Sequence, residues 1–236
     1  MHSLPARPTL DDATKTELKS KTAEILQITD VKERKKRADE LYKAEREKAW
    51  FRPVTAALSG VSRLCMYCSF GETSEVEHYH PKATYPEQAF LYENYLWVCS
   101  VCNRYKSNTF PTEPESLILN PFDDKVWDYF FLDDFGRLQP KENQPRAART
   151  CIIVQIDRQF LQNERKIRFN QYKETAKQVL NEFHNGKISR TELQMKIETM
   201  RLTSTPMDVA DYFLKGPGRV EEPFKSLLSA AGEYET

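Results

Sequence analysis

The chain has 236 residues, of which 39% are hydrophobic and 30% charged, enough apolar material for the core of one sizeable domain or two small ones. Thirty-five basic residues balance thirty-five acidic ones, so total charge gives no argument for a polyanionic partner, and any nucleic-acid surface is expected to be a local patch. The opening MHSLPARPTLDD lacks the apolar core of a secretory signal, and no apolar run approaches the ~18 residues that span a bilayer. The expected compartment is the cytoplasm, where the five cysteines read as metal ligands or buried thiols and not as disulfides.

In chain order, DATKTELKSKTAEILQI and DVKERKKRADELYKAEREKAWF carry few Gly or Pro and place apolar residues at helical spacing, which predicts two helices. Asp30 is the expected cap of the second. The cations Lys32, Arg34, Lys35, Lys36 and Arg37 near its start are interspersed with Glu33, Asp39 and Glu40 and read as a solvated face. Trp50, Phe51 and Arg52-Pro53 are expected to close this segment. From Cys65 to about Pro121, aromatics, prolines and paired cysteines replace the charged helices. DDKVWDYFFLDDFGRLQP alternates aromatic and acidic residues around a Gly turn, predicting a short hairpin. TCIIVQI is a β-branched run ending at Asp157, the expected cap of a long amphipathic helix whose apolar positions include Phe160, Leu161, Ile167, Phe169, Tyr172, Val179 and Phe183. Asn185-Gly186 ends it, with His184 as a dipole-favoured last residue. Ser189 and Glu192 have capping-box spacing ahead of Leu193, Met195, Ile197 and Met200. A polar break over residues 200–206 and a short helix in DVADYFLK follow, and the tail from Arg219 reads as a mixed segment available to a partner.

Cys65-Met-Tyr-Cys68 and Cys99-Ser-Val-Cys102 are two C-x2-C knuckles thirty residues apart. Four thiolates at ~2.3 Å from one ion make a closed tetrahedral Zn2+ site, in which no position is left for water. Such a zinc is structural and staples the intervening loop, which leaves the neighbouring Glu77-His78, Asn94, Asn103 and Lys106 unexplained. Cys151, alone in an apolar run, reads as a small buried hydrophobe, and Tyr79, Tyr95 and Trp97 read as packing residues.

The segments CMYC, EHYHPK, ENYLWVCSVCNRYK and ILNPFDD together resemble the HNH endonucleases, in the subgroup found in bacterial Septu-type and retron-associated antiphage systems. The resemblance covers about residues 65–124, with a weaker match in IDRQFLQNERK. It implies an α+β, mostly α-helical protein with a central ββα-metal core and a four-cysteine zinc knot (61–125), flanked by an N-terminal helical segment (1–60) and a C-terminal, mainly helical region (126–236) that binds a partner.

Carried over residue by residue, the resemblance implies that His78 is the general base, a task its ordinary pKa near 6.5 suits. Glu77, on the opposite face of a strand from His78, and Asn103 would hold a catalytic Mg2+ or Mn2+ through oxygen. Asn94 would fix the loop that presents His78. His80, Lys82 and Lys106 are the expected substrate contacts, with His80 also open as an extra ligand or as the base. The implied reaction is hydrolysis of nucleic-acid phosphodiesters, DNA first and tRNA or other structured RNA second. The implied partners are an ABC-type ATPase and, in retron systems, a reverse transcriptase with its DNA–RNA product. The competing readings are a zinc-ribbon binding module and a catalytically inactive scaffold, neither of which needs Glu77, His78, Asn94 and Asn103 at these positions.

Overall fold

The two N-terminal helices form as α1 (Asp12–Leu26) and α2 (Val31–Glu45), in a computed structural model that describes residues 1–2, 4–73, 75–114, 117–203 and 207–234. Each opens on an aspartate: Asp11 accepts from Thr14 N at 2.8 Å and Asp30 from Glu33 N at 2.9 Å, satisfying amides that the helix itself leaves unpaired. Arg52-Pro53 does not close the segment. Pro53 lies in the first turn of a third helix, α3 (Arg52–Val61), where its missing N–H costs nothing and its fixed φ is already helical. Leu18, Ile25, Leu41, Val54 and Leu58 of these helices share a buried cluster with Phe51, Phe90 and Tyr95, so the N-terminal helices pack directly onto the central module.

That module holds a two-stranded antiparallel sheet, β1 (Glu75–His78) with β2 (Tyr95–Val98), paired Glu75 to Val98 and His78 to Tyr95. Helix α4 (Ser100–Lys106) follows β2 immediately. The order of a strand pair and then a helix is the expected one.

Downstream, α5 (Val126–Tyr129) leads into the hairpin β3 (Phe130–Leu132) and β4 (Leu138–Pro140). Gly136 turns it at φ +76°, and its missing side chain lets Phe169 approach. The first five residues of TCIIVQI are helical and complete α6 (Pro145–Val154), because Ala147, Cys151 and Val154 recur at helical spacing and bury one face while Ile152 is exposed. Asp157 does not cap the next helix, α7 (Gln159–His184), whose N-cap is Arg158 with no side-chain cap bond. Of the expected apolar face of α7, Leu161, Phe169, Tyr172 and Val179 are buried, whereas Phe160 and Ile167 face outward. The capping box opens α8 (Arg190–Thr203): Ser189 N donates to Glu192 at 2.7 Å and Glu192 N to Ser189 Oγ at 3.3 Å. The last part of the expected break, residues 204–206, lies outside the described residues; before it α8 runs on to Thr203, and after it comes α9 (Met207–Leu214). The tail is not a loose segment. It forms α10 (Phe224–Ala231), whose Phe224, Leu227 and Leu228 are buried in the main core. Among the described residues, no helix is long and apolar enough to cross a membrane.

Candidate metal centre and adjoining cleft

The four cysteines of the two knuckles come together: their sulfurs all lie within 4.8 Å of one another, and all four residues are buried. Cys68 and Cys99 Sγ stand 3.9 Å apart, close to the ~3.8 Å edge of a tetrahedron with 2.3 Å arms. The surroundings suit thiolates. Gly71 N points at Cys68 Sγ and Cys102 N at Cys99 Sγ, each at 3.5 Å, and the Arg158 guanidinium lies 3.7 Å from Cys102 Sγ. A Cβ on Gly71 would sit 3.0 Å from Cys99 Cβ and 3.1 Å from its sulfur, so a side chain there would press the first loop against the second. Cys99 is also the N-cap of α4, which ties the sulfur cluster to the helix carrying Asn103. This donor set fits zinc.

Alternation along β1 sends Glu75 and Glu77 to one face and Val76 and His78 to the other. On the first face, the two-residue step of the strand meets the three-residue step of α4. Asn103 Nδ2 donates to Glu75 in a short bond, and Lys106 Nζ donates to Glu77 Oε1 at 2.5 Å and to the His78 carbonyl at 2.8 Å. Lys106 is wholly buried and Glu77 almost so. Burial pushes the Glu77 carboxyl up and the Lys106 ammonium down, and their contact opposes both shifts.

On the other face, the His78 ring packs edge-on against Tyr42 of α2 at 4.5 Å and against Tyr95 at 5.2 Å. Its Nε2 lies 3.0 Å from the Ala89 carbonyl. A carbonyl only accepts, so Nε2 carries the hydrogen and, in the neutral ring, Nδ1 holds the lone pair. Burial drives the His78 pKa down to about 3, with Lys82 and Lys106 adding to the shift, so the ring is neutral at ordinary pH but a weaker base than the ordinary value near 6.5 had implied.

Asn94 is buried between the two ends of the loop that joins the strands. Its Oδ1 accepts from His80 N at 2.7 Å, and its Nδ2 donates to His80 O at 2.9 Å and Gln88 O at 3.1 Å. The side-chain amide therefore fixes the backbone two residues beyond His78. Tyr79 packs inward, its hydroxyl on the Ile118 carbonyl at 2.6 Å.

Glu77, His78 and Asn103 all line one cleft of about 400 Å³, together with Tyr42, Lys43, Arg46, Lys82 and Arg104. The structure does not bring His80 or Lys106 into its lining. His80 lies in an aromatic nest, its ring 4.6 Å from Phe110 and 5.2 Å from Tyr85, and Lys106 lies beneath Glu77. Lys106 takes Oε1 of Glu77, and Asn103 donates its amide nitrogen to Glu75, so a hard cation in this cleft would have to use the second carboxylate oxygen of Glu77 and the amide Oδ1 of Asn103.

Sequence reasoning did not identify Tyr42, Lys43, Arg46 and Arg104, nor Glu75 as the partner of Asn103. Only Glu75 carried a local signal, its two-residue offset from Glu77 on a strand. No family model matches the chain. It is 25% identical over 202 residues to the Septu protein PtuB of Bacillus mycoides (strain KBAB4), an alignment that covers 70% of this chain and 68% of that protein. This likeness supports a relationship to Septu proteins.

Proposed function

We propose that the chain is a metal-dependent endonuclease of the HNH type that hydrolyses nucleic-acid phosphodiesters as the nuclease effector of an antiphage defence system. The observation that carries this reading is the convergence of Glu77, His78 and Asn103 on one cleft beside a four-cysteine knot. A neutral imidazole whose Nε2 is tied to a carbonyl leaves Nδ1 as the nitrogen that would accept a proton from attacking water. Tyr42 and Tyr95 hold that ring in place, and Asn94 holds the loop beside it. Glu77, oriented by Lys106, and Asn103 would hold a Mg2+ or Mn2+ ion, which when bound stabilises negative charge developing on the phosphate and the leaving oxygen. The four cysteines would hold Zn2+ as a purely structural ion.

DNA is the first-choice substrate and tRNA or another structured RNA the second, since the same groups serve either. An ABC-type ATPase is the proposed partner, as for Septu systems, with a reverse transcriptase and its DNA–RNA product if the system is a retron. Co-elution with the co-encoded ATPase in size-exclusion chromatography tests that association. The chemistry is tested by incubating the chain, alone and with that partner, with labelled DNA or tRNA and Mg2+ or Mn2+. Cleavage should leave 5′-phosphate and 3′-hydroxyl ends, and His78→Ala should abolish it without changing zinc content. A His78→Ala protein that cuts like the parent ends this assignment.

The Lys106–Glu77 contact gives a second reading some support, because a carboxylate already neutralised by a buried cation is also what an inactive binding or scaffold subunit would keep. That reading predicts nucleic-acid or partner binding with no divalent-ion requirement and no cleavage.

A further inference from the structure

The cleft at Glu77 and His78 continues into a second hollow of about 320 Å³ lined by Phe51, Thr55, Glu75 and Trp97. The two share Tyr42, Arg46, Val76 and Asn103, so they are halves of one trough alongside β1, and the halves differ in chemistry. The first is rimmed by Lys43 and Arg46 from α2, Lys82 from the loop after β1 and Arg104 from α4. Asp39 bridges both lysines, at 2.6 Å from Lys43 and 3.1 Å from Lys82, and neutralises one of the two charges. Arg46 meets Glu47 only as an exposed pair, and Arg104 has no ion-pair partner among the described residues. The rim therefore keeps a net positive charge in a chain whose overall charge is zero. The second half sets half-buried Trp97, the most accessible of its rings, and buried Phe51 and Tyr42 beside the carboxylates of Glu47 and Glu75; Glu47 is the carboxylate paired with Arg46 and Glu75 the one bonded by Asn103.

We propose that this trough takes an unpaired strand of nucleic acid, its phosphates held by Lys43, Arg46, Lys82 and Arg104 and a nucleobase next to the scissile phosphate lodged against Trp97. The inference rests on the reading of the site as a nuclease and specifies its substrate. Cations track a backbone without regard to sequence, and an aromatic face accepts any base. The aromatic half is a hollow and not an open groove, and a base within a duplex is stacked and paired, so it enters such a hollow only after extrusion at an energetic cost that a single strand does not bear. The N-terminal helix α2 thus supplies one wall of the substrate site as well as Tyr42 behind His78.

The test is fluorescence anisotropy of the full chain without added divalent ion, so that binding is read apart from cleavage. The probes are labelled single-stranded DNA of about 12 nucleotides, the RNA of the same sequence, and the blunt DNA duplex. Single strands should bind about tenfold or more tightly than the duplex, and the better of the DNA and RNA arms names the natural polymer. Thr55→Trp, which fills the aromatic half from a half-buried helix position, should weaken single-strand binding by about tenfold and leave zinc content and melting temperature unchanged. Lys43→Gln with Arg46→Gln and Arg104→Gln should lower the slope of log affinity against log salt by about 2. A duplex bound as tightly as the single strands, or a Thr55→Trp protein with parental affinity, overturns the proposal. An unchanged salt slope overturns it too. Failure of the nuclease reading is seen separately, as an unmodified chain that binds these probes and never cuts them.

Discussion

The module from Cys65 to Lys106 and the helices α7 to α10 contribute to one buried cluster, yet different physics holds them. The module has two four-residue strands and one seven-residue helix, and its interior is four sulfurs, a dry ion pair and an amide bonded to loop backbone. The helical region is joined by rings: Phe213 stacks on Phe224 at 4.1 Å, with Phe169 and Tyr172 against the same ring. A few directional interactions hold a short segment in a definite shape, but each fails as a whole when one partner goes. Many dispersive contacts fail in proportion to the volume removed. The cleft residues Glu77, His78 and Asn103 sit in the first kind of region, where directional contacts, and not buried area, set the spacing.

Removing zinc is the strongest way to break this comparison. Elemental analysis should find one zinc per chain, and its loss by chelation or by Cys102→Ser should remove on the order of 10 kcal/mol of binding free energy from the module. Amide hydrogen exchange should then show protection lost over residues 65–106 and largely kept in α7. Equal loss in both would mean that the two regions fold as one unit.

The next effect contrasts an uncompensated charge with a cavity. Lys106→Met strands a buried carboxylate and should cost about 3–5 kcal/mol in chemical denaturation. Adding Glu77→Gln should return part of that loss, since no lone charge then remains. Phe213→Ala should cost a similar 3–5 kcal/mol through the void it leaves, but no second substitution of charge would relieve it, and zinc content should stay at one per chain.

Legibility in the sequence follows the same division. The knuckles, the Asp30 cap and the Ser189–Glu192 box were readable because each is a local spacing with a single geometric solution, whereas the strand-pair-then-helix order came only from the family resemblance. The gathering of the four sulfurs follows from the spacing of the knuckles, whereas the pairing of Glu77 with Asn103 was implied only by the resemblance, and the bonds found run from Asn103 to Glu75 and from Lys106 to Glu77. The packing of Tyr42 on His78 was not readable, because it joins residues 36 apart with no periodic relation. Lys106 read as a substrate contact, since nothing nearby in the sequence reveals that Glu77 takes its ammonium in a buried pair. TCIIVQI misled through its β-branched residues, whose preference is overridden when one helical face is buried.

Acid should separate the regions further. His2, held between Ser69 at 2.8 Å and Ser62 at 3.4 Å, has its pKa lowered to about 4, mainly by burial, as His78 has to about 3. Both folded values lie below the unfolded value near 6.5, so the unfolded chain binds protons first as pH falls. The stabilisation is complete above about pH 6.5 and is lost from there down toward pH 4, at up to about 1.4 kcal/mol per pH unit for each histidine. Denaturant midpoints measured across that range should fall, and His2→Asn should flatten the fall by its own share. An unchanged slope would place His2 in a solvated environment. Both histidines touch the module, so exchange protection should weaken there before it weakens in α8.

The smallest effect sharpens the comparison, because it applies one perturbation to both sides. Asp30 caps α2, which walls the cleft, and Ser189 caps α8 in the helical region, and both caps are exposed. Asp30→Ala and Ser189→Ala should each cost about 1 kcal/mol, since each leaves an amide of the first turn without its acceptor. Fraying is confined to the first turn or so of a helix, and Tyr42 lies about three turns beyond Asp30, anchored by Phe51 and Phe90. Nucleic-acid binding by Asp30→Ala should therefore match that of Ser189→Ala and of the parent chain. Weaker binding in Asp30→Ala alone would show that α2 moves as a rigid wall, so that loosening its far end shifts Lys43 and Arg46 at the rim.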